Sequence, residues 1–80
     1  MKAEWRERDW SKSKHPERAR DYETFLELVL PDGGVIARIE QFTTNPSCFY
    51  ANTPTERSGC LRSLDWARQW CETKTGNKVN

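Results

Sequence analysis

The chain has 80 residues, enough for one domain. A chain of this size buries only about 60–65% of its unfolded surface, for a net stability of roughly 4–12 kcal/mol, and it has little volume for a deep pocket. Only 35% of its residues are hydrophobic, the mean hydropathy is −0.97, and the formal net charge is +1, which excludes a histone-like protein and a strongly acidic DNA mimic.

Four Trp, three Phe and two Tyr must therefore carry much of a thin core. The charge is unevenly placed. Residues 11–20 hold Lys12, Lys14, Arg18 and Arg20 against Glu17, whereas residues 21–60 hold six acids against Arg38 and Arg57. A basic loop and a mildly basic C-terminal helix flank an acidic sheet. The N-terminal residues contain no apolar signal-like region, and no run approaches transmembrane length. The expectation is a soluble, intracellular (cytoplasmic) protein with no membrane partner.

Residues 2–10 alternate weakly, with Ala3, Trp5, Glu7 and Asp9 on one side, and predict a short edge strand guarded by charge. An edge of this kind allows a monomer or a weak dimer. Residues 11–20 have no apolar period and read as a mobile loop. Tyr22 to Phe42 reads as two strands joined by Pro31-Asp32-Gly33-Gly34. Pairing Leu30 with Val35, Leu28 with Ala37 and Leu26 with Ile39 puts six apolar side chains on one face. The same register sets Glu27 against Arg38 and Val29 against Ile36 on the other. A turn follows at Thr43 to Pro46, then a third strand around Cys48 to Ala51, then a polar connection from Asn52 to Gly59.

Ser63 is placed to cap a helix, with Asp65 in its first turn and Gly76 as its stop. Leu64, Ala67, Trp70 and Cys71 share one arc of that helix, with Trp66 at its border. The tail, Asn77 to Asn80, is expected to fray. The predicted fold is α+β: a three- to four-stranded antiparallel sheet with one C-terminal helix on one face. Its parts are an edge strand and basic loop (1–21), the sheet (22–52) and the helix (63–75).

Three cysteines, Cys48, Cys60 and Cys71, are an odd number at wide spacing, which predicts free thiols in a reducing compartment. They also lack the close pairs of a structural zinc site, and His15 lies apart in the basic loop. No nucleophile elbow, phosphate-cradling glycine loop or HExxH stretch is present. The expectation is a non-enzymatic protein with no metal and no cofactor.

Two binding chemistries fit the residues. Lys12, Lys14, Arg18 and Arg20 beside Trp5 and Trp10 suit single-stranded nucleic acid, which is held by cations next to stacking rings. Exposed tryptophans beside arginines suit a protein interface, with Trp5, Trp10 and Trp66 available once Trp70 is spent on the core.

The last third adds a resemblance. Gly59-Cys60-Leu61 leads through Ser63-Leu64-Asp65-Trp66-Ala67 to Arg68-Gln69-Trp70-Cys71-Glu72, after a hairpin with Asp32-Gly33 and the aromatic strand Phe49-Tyr50-Ala51. This order resembles small phage and prophage accessory proteins, anti-CRISPR proteins among them. The resemblance implies stoichiometric inhibition of a host protein complex, a CRISPR effector foremost. The contacts would then come from Lys12, Lys14, Arg18, Arg20 and Trp10 in the loop, and from Arg62, Trp66, Arg68 and Lys74 on the helix. Glu23, Glu27 and Glu40 on the acidic sheet face are the competing contact.

Overall fold

The hairpin lies at the centre of a four-stranded antiparallel meander in the structure, a computed structural model describing residues 2–77. The strands are β1 (Glu4–Glu7), β2 (Tyr22–Val29), β3 (Val35–Phe42) and β4 (Tyr50–Asn52), in that spatial order. One helix, α1 (Leu64–Thr75), lies across one face. The fold is a small α+β fold, with β1 at one edge.

Leu26 pairs with Ile39, Glu27 with Arg38 and Leu28 with Ala37, as the apolar pattern dictates. The register departs at the tip. The loop uses three residues rather than four, because Gly33 takes φ +93° and its N–H closes the turn on the Leu30 carbonyl. Leu30 N–H then bonds Gly34, Val29 pairs with Val35, and Ile36 is the extra residue that restores the register. Val35 is consequently 45% exposed, not part of the core as predicted, and Ile36 packs against the core instead. A second irregularity lies at Glu23, between the pairs Tyr22–Phe42 and Thr24–Gln41.

The inner face of the sheet carries Leu26, Leu28, Ala37, Ile39 and Ala51, and α1 seals it with Ala67 and Cys71. Trp5, Leu64 and Trp70 pack around this cluster. The Trp5 indole N–H donates to Glu72 Oε2 at 3.0 Å, so this tryptophan ties the edge strand to the helix and is not the free surface ring the sequence allowed. Ser63 Oγ accepts from Trp66 N–H at the helix start, and Gly76 ends the helix at φ +69°.

Two expectations are corrected. Cys48 and Cys60 are not thiols; they form a disulfide, and only Cys71 remains free. The bond closes a doubled-back segment in which Phe49 and Leu61 exchange both backbone bonds and Asn52 faces Arg57. Disulfides persist in oxidising compartments, so the argument for a reducing one falls with the thiols. Residues 11–20 are not a structureless loop either: Trp10–Lys12 and Pro16–Asp21 are short 3₁₀ helices. Pro16 suits the first turn because its missing N–H would have no partner there. Of the tail expected to fray, residues 78–80 lie outside the described residues. Among the described residues, no helix is long and apolar enough to cross a membrane.

Candidate binding cleft

Successive side chains of a strand point to opposite faces, so burying Leu26 and Leu28 turns Phe25 and Glu27 away from the helix. The irregularity at Glu23 shifts Tyr22 onto that same outer face, where the plain alternation would not put it. Tyr22 then meets Phe25 edge-on at 4.9 Å between ring centroids and Phe42 at 5.1 Å. Phe42 continues the row to Tyr50 at 6.1 Å. Trp10 swings over from the first 3₁₀ helix, stacking on Tyr22 at 5.6 Å and touching Phe25 edge-on. The back of the sheet is thus a strip of five aromatic rings.

Asp9 sets the arm that carries Trp10. Its carboxylate accepts from the Ser11 hydroxyl and backbone N–H, which hold its pKa below the ordinary carboxylate value, with Lys12 adding a smaller pull. The far end is tied by Thr43 N–H donating to the Asp21 carbonyl at 2.9 Å.

Arm and sheet enclose an open cleft of about 310 Å³. Its apolar wall is Trp10, Tyr22 and Phe25. Its charged wall is Arg8, Lys14, Arg18 and Arg38, with His15 at the rim and Glu40 the one carboxylate. The Arg8 guanidinium sits 4.6 Å from the Trp10 ring centre and 5.3 Å from that of Phe25. Among the described residues, none of these four cations is in an ion pair. Burial raises the Tyr22 pKa first, the Glu40 and Asp21 carboxylates add to it, and Arg18 and Arg38 oppose them. The phenol therefore stays neutral and presents a hydroxyl donor at neutral pH.

The predicted contact residues divide. Trp10, Lys14 and Arg18 line the cleft. Lys12 instead reaches Asp9 at 4.0 Å, and Arg20 is exposed without lining the cleft. Trp66 stands on the helix, 64% exposed, in a shallow apolar hollow of about 300 Å³ with Leu61 and Trp70. Arg62 precedes the helix, Arg68 pairs with Asp65 at 3.8 Å, and Lys74 pairs with Glu56 at 3.0 Å. The sheet face assigned to Glu23, Glu27 and Glu40 is not an acidic patch, because Arg6, Arg8 and Arg38 interleave with Glu27 and Glu40.

Arg8, Tyr22, Phe25 and Arg38 are cleft residues the sequence reading did not assign. Phe25 and Arg38 were within reach of it, since the alternation that buries Leu26 and Ala37 turns both outward. In the sequence pattern Arg38 stands out only as the register partner of Glu27.

His15 Nδ1 faces Glu17 at 3.3 Å, and Ser13 Oγ accepts the His15 backbone N–H, so these groups serve the local turn. Among the described residues, no three His, Cys, Asp or Glu side chains gather as metal ligands. Comparison with protein-family models, curated proteins and solved structures finds no match to this chain.

Proposed function

We propose that this protein is a non-catalytic binding module that holds single-stranded nucleic acid in the cleft behind its sheet. One observation carries the reading: four cations without ion-pair partners among the described residues converge on a wall of aromatic rings. Phosphates supply the charge those cations lack, and bases supply flat surfaces for the rings. Duplex DNA fits less well, because its base faces are stacked on one another and the rings of the cleft need exposed ones.

The test is fluorescence anisotropy of a labelled eight-nucleotide dT strand, at 50 and 200 mM salt. Binding that weakens with salt is expected, with a log–log slope of about −3 if each of the four cations neutralises one phosphate of a single strand. Arg18→Glu should weaken it at least fivefold. Absence of binding at 50 mM salt, or a slope near zero, overturns the reading.

A second reading is favoured by the exposed Trp66 beside Trp70 and Leu61. It is the stoichiometric inhibitor of a host complex, a CRISPR effector foremost. That reading predicts loss of target binding by the purified effector at one protein per complex, and recovery with Trp66→Ala. An effector untouched at excess protein removes it.

A further inference from the structure

We infer that a bound strand runs on past the basic cleft into a second subsite at the hairpin end of the same sheet face, and that this subsite takes a nucleobase bearing an exocyclic amine. The inference rests on the reading of the cleft as a single-strand site.

A second hollow of about 340 Å³ adjoins the cleft, and Arg38 lines both. Two hollows sharing one arginine have the layout of two bases flanking a phosphate. The guanidinium is in no ion pair among the described residues, so it is available to a phosphate placed between them. Val35, Ile36 and Pro54 offer the second hollow an apolar surface against which a ring can lie.

With Arg38 assigned to the phosphate, the remaining polar side chains there, Glu27, Asn52 and Thr53, can all accept. Asn52 Nδ2 donates to Glu40 Oε1 at 3.2 Å and to the Tyr50 carbonyl at 3.4 Å, which leaves its Oδ1 to accept. The Glu27 carboxylate also lines this hollow and can only accept. Two acceptors call for donors on the base. Cytosine and adenine present an exocyclic amine, as guanine does, whereas thymine has only its ring N–H. The tip irregularity builds this subsite, because it leaves Val35 exposed next to Ile36.

The experiment measures eight-nucleotide dT and dC strands and thymidine monophosphate, each labelled, by anisotropy, against the wild-type chain, Val35→Asp and Pro54→Glu. Both substituted positions are exposed, so both variants should keep the fold, and unchanged melting verifies it. The expected result has three parts. Eight-nucleotide dC binds at least fivefold tighter than dT of the same length. Both variants reduce binding of the eight-nucleotide strands at least fivefold. Neither variant changes binding of thymidine monophosphate, which is long enough for the cleft alone.

Equal binding of dC and dT together with full affinity in both variants overturns the second subsite and leaves the cleft reading standing. Absence of binding by every strand overturns the cleft reading and this one together. Displacement of dC by an acidic peptide of equal charge at equal affinity also overturns the subsite, by reducing it to charge alone.

Discussion

The two faces of the sheet solve different problems with different residues. The inner face is small and aliphatic: Leu28, Ile39, Ala51, Ala67 and Cys71 are all without exposure. The outer face is aromatic and cationic, and of its two central strands only Phe25 and Val29, both on β2, are buried there. A chain with this little apolar material has one helix, and one helix covers one face. Aliphatic side chains gain most from complete burial, so they belong under the helix. Aromatic rings with polar ends tolerate a wet edge, so they serve on the open side. Complete burial is concentrated on one face, which leaves the other open.

That contrast breaks most readily at Leu28. Leu28→Asp buries an unpaired carboxylate where nothing can solvate it, and should abolish the folded state of a domain with so small a margin. Circular dichroism through a thermal melt reads it. A variant with wild-type melting would refute the assignment of faces.

Removing the disulfide is the next largest change. Cys48 and Cys60 are 12 positions apart, and loss of a loop closure of that size costs about 3 kcal/mol on the chain-entropy account. For a domain of this size the melting temperature should fall by roughly 12–24 °C in the double serine variant or under reductant. Melting unchanged by reductant would remove the bond as a structural element.

What the sequence revealed follows the same division. The inner register was legible because two independent signals, the apolar alternation and the Glu27–Arg38 pairing, agree on it. The helix was legible because Ser63 and Gly76 mark both its ends. The outer aromatic strip was hidden by one residue, Glu23, whose irregularity moves Tyr22 to a face that alternation denies it. Trp10 joins the strip from outside the sheet, through turns that carry no periodicity. The cysteine pairing was hidden because it depends on residues 57–61 doubling back onto the strand at 49–52, and the connection from Asn52 to Gly59 looks only polar in sequence.

Cys71 sharpens the account of the inner face through pH. Burial pushes its thiol up to about 11, from an ordinary 9.0, with the Glu72 carboxylate adding to the shift and an Asn52 backbone bond opposing it. A raised pKa means that the fold favours the protonated form. Its contribution is complete below about pH 9 and is lost as pH rises through about 11. Stability of the wild-type chain should decline across that window more than stability of Cys71→Ala does. The native thiol should also resist a thiol reagent at pH 8 and react fully in denaturant. Rapid labelling of the folded protein would place Cys71 outside the sealed face.

Capping has a smaller effect. Ser63→Ala removes the acceptor of Trp66 N–H and should cost about 1 kcal/mol in denaturant unfolding. It should not alter strand binding, because the cap serves only the helix side of the molecule. A cap variant with wild-type stability but weaker binding would reverse the division of labour between faces.

The least disruptive substitutions separate the faces most finely. Lys12 and Lys14 are both exposed, and neither holds the fold. The one ion pair between them, Lys12 with Asp9 at 4.0 Å, is exposed at both ends and contributes little. Lys12→Glu and Lys14→Glu should each change stability by no more than about 0.5 kcal/mol. Both alter the net charge equally, so any general attraction of the strand falls equally in the two. At 150 mM salt that general term is screened beyond about 8 Å. What remains is position: Lys14 lines the cleft and Lys12 does not. Binding of an eight-nucleotide strand should therefore fall at least threefold in Lys14→Glu and stay near wild type in Lys12→Glu. Equal losses in both would mean that charge alone, and not the shape of the cleft, selects what this face holds.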